Sequence, residues 1–202
     1  MIDNNFPDYI IDTEFLTKEE LNSVFLEISQ APFNFDPNNT IGTSEDGITG
    51  ITGDRFFDRL IMISGNNHLH IPDQLRPMAK MLVEKFCLKH GFKLLEIYRT
   101  RTNMTFMSND PRPTMPHVDL RGKEKHYIFL FFVNDSDGDT IMFDLKADGH
   151  PHTQEELLEK KRFSPGAGHA VIFDGDYFHT WEHPKHHDYR LSMVVNISIE
   201  KI

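Results

Sequence analysis

His117 and Asp119 stand two residues apart in Met115-Pro116-His117-Val118-Asp119, and a further imidazole follows at His179, in Asp176-Tyr177-Phe178-His179-Thr180-Trp181. On an extended segment alternate side chains face the same way, so His117 and Asp119 would point together. A second imidazole delivered by a distant strand would complete two nitrogens and one carboxylate around a metal ion. That donor set leaves coordination positions open, as a reactive centre requires. With 12 His and 31 Asp plus Glu in the chain, one His-x-Asp is weak evidence, because chance produces it readily. The residues beyond His179 give it weight.

Strand parity after Tyr189 places Arg190, Ser192 and Val194 on one face and Leu191, Met193 and Val195 on the other. An arginine among apolar strand residues is costly to bury unless it meets an anion. Its planar fork suits a carboxylate, and Ser192 can add a hydroxyl to the same group. An internal salt bridge to one of the chain's own acids is the alternative.

The order His-x-Asp, distant His, then Arg-x-Ser resembles the Fe(II)/2-oxoglutarate-dependent oxygenases. More narrowly, it is similar to their prolyl-4-hydroxylase-like branch and to small phage-type members with no assigned substrate. Asn134–Phe143 resembles the family's strand–turn–strand before the distal histidine, and Ser164–Gly175 the strand leading into it. The opening Tyr9–Leu16 followed by a helix is also typical, and the likeness runs from about residue 90 to 199. The resemblance implies that His117, Asp119 and His179 hold Fe(II). It assigns Arg190, assisted by Ser192, to the distal carboxylate of 2-oxoglutarate. The implied reaction consumes O2 and releases succinate and carbon dioxide while a peptide, protein side chain or small molecule is hydroxylated. Asp119 argues against a halogenase variant, which lacks that carboxylate.

Two departures stand out. Many members of the branch bind the cosubstrate with a tyrosine where this chain has Phe132. Tyr98 is the substitute candidate, the alternative being an ordinary strand tyrosine with its ring in the core. Where the family's nucleic-acid demethylases carry a second arginine, this chain has Asn196, which argues against that branch. Arg99, Arg101 and Asn103 share one strand parity; they either line the mouth of the site or form an exposed face, and the exposed face is the favoured expectation.

The 202 residues suit one domain with a proper core, and 17 Phe with 39% hydrophobic content support a packed globule. A net charge of −10 leaves no basic footprint for duplex nucleic acid. The single cysteine, Cys87, allows no internal disulfide and reads as a buried helix residue. No run approaches a membrane span and no signal peptide is visible, so a cytoplasmic location is expected, the host's if the source is viral. Oligomeric state is not legible.

The elements that must position these residues read as helices first and strands later: a helical N-terminal support over about 1–92, then a jelly-roll core over about 93–200. Thr17-Lys18-Glu19-Glu20 looks like a capping box opening a helix to about Gln30. Residues 31–56 read as irregular, and a second helix is expected from Gln74 to His90, stopped by Gly91. Tyr127–Val133, apolar on both faces, predicts a central strand. Asp137-Gly138 predicts a turn into a strand at Thr140–Asp144. Gln154–Arg162 reads as a short solvated helix. The expected fold is mainly β with flanking helices: a double-stranded β-helix, or cupin-like jelly roll.

His183, His186 and His187 read as a solvated loop, and His68/His70 and His150/His152 have spacing without a partner pattern. Trp181 and Phe178 either wall the metal site or pack the core. Residues 104–116 are a candidate substrate lid. Three function classes compete: an oxygenase, a zinc hydrolase using the same ligands, and a noncatalytic jelly-roll binding module. Only the first gives Arg190 and Ser192 a purpose.

Overall fold

The computed structural model describes residues 6–31, 33–35, 48–49, 61–64, 75–109, 113–120, 125–150 and 152–202. In chain order the elements are β1 (Tyr9–Asp12), α1 (Lys18–Ser29), β2 (Asn34–Phe35), β3 (Ile48–Thr49), β4 (Ile61–Ser64), α2 (Arg76–Lys89), β5 (Phe92–Phe106), β6 (Tyr127–Phe132), β7 (Thr140–Lys146), β8 (His152–Thr153), β9 (Glu159–Phe163), β10 (Ala170–Asp174), β11 (Tyr177–Trp181) and β12 (Tyr189–Lys201). A seven-stranded sheet runs β1-β10-β6-β12-β5-β4-β2, and a three-stranded sheet runs β11-β7-β9. All pairings within these two sheets are antiparallel. This is the expected jelly-roll architecture.

Both helices start and stop where local chemistry requires. Thr17 caps α1 through a reciprocal capping box with Glu20. Glu20 also pairs with Lys85 of α2, tying the two helices. α2 begins at Arg76, with Pro77 in its first turn, where a missing N–H does no harm. Gly91, at φ 77°, turns the chain directly into β5.

The helices cover one face of the large sheet. Phe86, Leu82 and Val83 of α2 and Ile28 of α1 pack with Phe129 and Phe131 of β6 and Leu191, Met193, Val195 and Ile197 of β12. Each large side chain fully buried this way contributes roughly 1.5–3 kcal/mol. The opposite face of the same strands packs against the small sheet, where Ile128, Leu130 and Phe132 meet Met142, Phe163 and Phe173. Strand β6 is therefore buried along its whole length, as its doubly apolar sequence predicts.

Several expectations need correction. Glu159–Phe163 is strand β9, not helix; only Gln154–Glu156 make a single 3-10 turn. Pairing with β7 overrides the helical propensity of this charged stretch. The N-terminal portion is not purely helical, since β1 forms one edge of the large sheet. Residues 104–106 belong to β5 rather than to a loop, and 110–112 lie outside the described residues. His68, His70 and most of 31–56 also lie outside them. Cys87 is buried in α2, and burial first, with Glu84 nearby, pushes its thiol up to about 12. It is an inert core residue. Among the described residues, no helix is long and apolar enough to cross a membrane.

Candidate functional site

An isolated antiparallel bridge joins His117 to His179. The amide of each donates to the carbonyl of the other, at 2.9 and 3.0 Å. Directly beside it, Thr114 N donates to Trp181 O and the Thr114 and Thr180 hydroxyls bond at 2.8 Å. The segment before Asp119 is thus held against β11, and the two imidazole rings come within 4.6 Å of each other. Val118, between the two ligand candidates, turns inward onto Phe178 and anchors the local alternation.

One nitrogen of each ring is already engaged. His117 Nδ1 bonds Met115 O at 3.0 Å, and His179 Nδ1 bonds Tyr177 O at 3.1 Å. A neutral imidazole that donates from Nδ1 presents Nε2 as a lone pair. His117 Nε2 stands 3.6 Å from Asp119 Oδ1, and donor atoms of His117, Asp119 and His179 all lie within 4.8 Å of one another. Burial, and then the neighbouring His117, push His179 down to about 4, so its imidazole is neutral at pH 7.

Asp119 is held from behind. Arg99 Nη2 pairs with its Oδ1 at 2.5 Å, Asn196 Nδ2 donates to its Oδ2 at 2.9 Å, and Arg99 Nε donates to Asn196 Oδ1 at 2.9 Å. Burial alone would raise the Asp119 carboxyl, but Arg99 and then His117 outweigh it and hold the group well below the usual range. Sequence reasoning missed this triangle. Asn196 and Arg99 face each other across the β12–β5 register, and that pairing is not readable from either strand alone.

These groups form one side of an open cleft between the two sheets, lined also by Arg101, Asn103, Thr140, Trp181, Arg190, Ser192 and Val194. Arg190 is 3% exposed. Its Nη2 donates to Thr140 Oγ1 at 2.6 Å, and its guanidinium lies 5.3 Å from the Phe132 ring centre. Among the described residues no carboxylate forms an ion pair with it, so the internal salt bridge is not realised. Burial lowers its pKa to about 10, opposed by the charge of Asp139, and it stays charged at pH 7. Arg190 Nε and Ser192 Oγ are buried without a hydrogen-bond partner. Such groups are costly unless a ligand satisfies them.

The remaining expectations divide. Arg99, Arg101 and Asn103 line the cleft, which overturns the favoured exposed-face reading. Tyr98, of opposite parity on β5, is not among the lining residues and is not brought together with the other candidates. Phe132 sits under Arg190, so the position expected to hold a tyrosine supports the guanidinium with its ring face instead. Trp181 lines the cleft, whereas Phe178 is buried against Val118 and His152. His183, His186 and His187 lie in the connection between β11 and β12, which Asp137 organises through the amides of Lys185 and His186 and the His187 ring.

No family model matches the sequence, and no curated protein matches it. Solved structures do. An oxidoreductase of the 2OG-Fe(II) oxygenase family from Burkholderia pseudomallei superposes with a TM-score of 0.59 at 13% identity, covering 95% of this chain and 85% of that one. A Pseudomonas putida prolyl-4-hydroxylase gives 0.51 at 15% identity, over 94% and 91% of the two chains. HygX from Streptomyces hygroscopicus, solved with nickel, 2-oxoglutarate and hygromycin B, gives 0.60 at 8% identity over 95% and 82%. The chain therefore has the double-stranded β-helix fold of the 2OG-Fe(II) oxygenase structures, prolyl-4-hydroxylases among them.

Proposed function

We propose that this protein is an Fe(II)- and 2-oxoglutarate-dependent dioxygenase that hydroxylates a peptide or protein side chain or a small molecule. One observation carries the reading. A three-donor group able to hold a metal ion and a buried guanidinium without an acid partner share a single cleft, in a fold that HygX, solved with nickel and 2-oxoglutarate bound, also has.

The residues fit both groups. His117 and His179, with Nδ1 engaged, offer Nε2, and Asp119 offers a carboxylate oxygen beside them, a donor set suited to non-haem iron. Arg190 and Ser192 offer unsatisfied donors to the far carboxylate of 2-oxoglutarate. When bound, iron with 2-oxoglutarate and O2 supplies an oxidant able to take hydrogen from an unactivated C–H bond, with release of succinate and carbon dioxide. The chain's own task is positioning and water exclusion. Phe173, edge-on to His179 at 5.5 Å, and Trp181 wall the metal side, while Arg99 and Asn196 fix the carboxylate. A zinc hydrolase on the same triad would leave Arg190 and Ser192 without a role.

Adding Fe(II) and 2-oxoglutarate under anaerobic conditions is expected to produce a weak visible charge-transfer band. His179→Ala abolishes it. Arg190→Ala weakens 2-oxoglutarate binding but leaves metal binding largely intact. Absence of the band in the wild-type protein would refute the proposal.

A further inference from the structure

On the oxygenase reading the cosubstrate reaches from the metal ligands to Arg190, and one large side chain stands beside that path. His179 and Trp181 share the face of β11 that lines the cleft, and in the β11–β7 register they lie opposite Met142 and Thr140. Thr140 is the residue that holds Arg190, through the 2.6 Å bond to its Nη2. From a metal-ligand candidate to the partner of the guanidinium is therefore a single two-residue step of the small sheet, roughly 7 Å. Trp181 makes that step.

Both ends of the path are fixed. Arg190, 3% exposed, is bonded to Thr140 and lies over Phe132, so it cannot back away. His179 is tied to His117 by the isolated bridge. A chain pinned at both ends gains length only by bowing sideways, and on the small-sheet side Trp181 stands in that direction. The residue is braced. Its amide donates to Thr114 Oγ1 at 3.3 Å, and its carbonyl accepts from Thr114 N at 2.9 Å. Its ring lies 5.0 Å from that of His183, which is itself bonded to Phe106 O. On the large-sheet side Leu130 and Val194 line the cleft with branched side chains. Such close-packed walls have little room to give.

We infer that Trp181 sets the length of the 2-oxo diacid that this cleft accepts, admitting 2-oxoglutarate and rejecting its longer homologues. The inference rests on the oxygenase reading and gives its cosubstrate slot a specificity-determining residue. An apolar wall of this kind discriminates a single methylene by about tenfold or more.

The test loads the full chain anaerobically with Fe(II) and titrates it calorimetrically with 2-oxoglutarate and with 2-oxoadipate, the homologue longer by a methylene. The wild type binds 2-oxoglutarate about tenfold or more tighter than 2-oxoadipate. Trp181→Val erases most of that preference by admitting 2-oxoadipate, and Trp181→Phe, which keeps a smaller ring, erases part of it. Both variants retain 2-oxoglutarate binding, which shows that they are folded and that the residue acts on length rather than on the site as a whole. Equal affinity of the wild type for the two acids overturns the inference, and so does a preference unchanged in Trp181→Val. Should Trp181→Val bind neither acid, Trp181→Phe decides: a reduced preference upholds the inference, and an unchanged one overturns it. Loss of both acids in both variants overturns it too, since the residue then serves the whole site. Failure of the wild type to bind 2-oxoglutarate or to form the band sinks the oxygenase reading instead, so the two failures are distinct.

Discussion

Leu191, Met193, Val195 and Ile197 leave β12 on one side and meet the helix-covered core; Arg190, Ser192 and Asn196 leave it on the other, and are equally buried. The first face is satisfied by hydrocarbon alone. The second is satisfied only in part: Asn196 is fully bonded into the Arg99–Asp119 triangle, while Arg190 Nε and Ser192 Oγ have no partner. A strand that alternates so sharply separates two tasks along one backbone. One set of side chains holds the sheet to the helices, and the other holds unsatisfied polar groups where a ligand can reach them. The first should cost stability when truncated. The second should cost ligand binding, and can even release stability when made apolar.

The largest effect belongs to the apolar face. Phe129 is fully buried against Phe15 and Phe86. Phe129→Ala is expected to lower unfolding free energy by about 3–5 kcal/mol, read from the denaturant midpoint. A loss under about 1 kcal/mol would mean that this face is not the structural one.

The cleft face should respond in the opposite sense. Arg190→Met removes a buried charge that lacks an acid partner while keeping similar bulk over Phe132. The metal-free variant is expected to gain about 1–3 kcal/mol. It should also lose the rise in Tm that saturating 2-oxoglutarate with metal confers on the wild type. Equal destabilisation by both substitutions would erase the distinction between the faces.

How far this division was readable from the chain depends on the range of the interaction. The alternation of β12, the doubly apolar β6 and the capping box at Thr17 are local patterns, and all three appear as the sequence predicts. The grouping of His117, Asp119 and His179 was legible because donor types are few and their spacing is constrained. Arg99 was not, because its purpose comes from facing Asn196 across β12, and register is a property of two strands. β9 was misread for the same reason. Glu159–Arg162 carry helix-favouring charges, yet Lys161 and Arg162 are drawn into pairing with Met142 and Ile141.

Asn196 gives a sharper test of the polar face. Its side chain bonds Asp119 and Arg99 at once. Asn196→Ala is expected to weaken metal binding by about 10- to 100-fold, measured by competition with a chelator, because the ligand carboxylate loses its fixed orientation. Unaltered metal affinity would show that Arg99 alone orients Asp119.

The smallest effect compares two buried carboxylates with depressed pKa values. Asp119 faces the cleft. Asp12, at the end of β1, lies on the helix side with a side chain 6% exposed. Burial raises the Asp12 carboxyl, but hydrogen bonds from Lys89 and His90 and from the Glu14 amide outweigh it and lower the net value. A carboxyl with a folded-state pKa below its unfolded value of about 3.9 stabilises the protein above that pH. The contribution fades as pH falls from about 4 through the folded value, when both states become protonated. Asp12→Asn should therefore be about 1 kcal/mol less stable than wild type at pH 7, with the two stabilities converging in acid. Saturating metal should leave that difference unchanged, because every partner of Asp12 named here is supplied by the chain. A metal-dependent difference would mean that the brace between β1 and α2 is coupled to the cleft, and that the two faces of the sheet do not act independently.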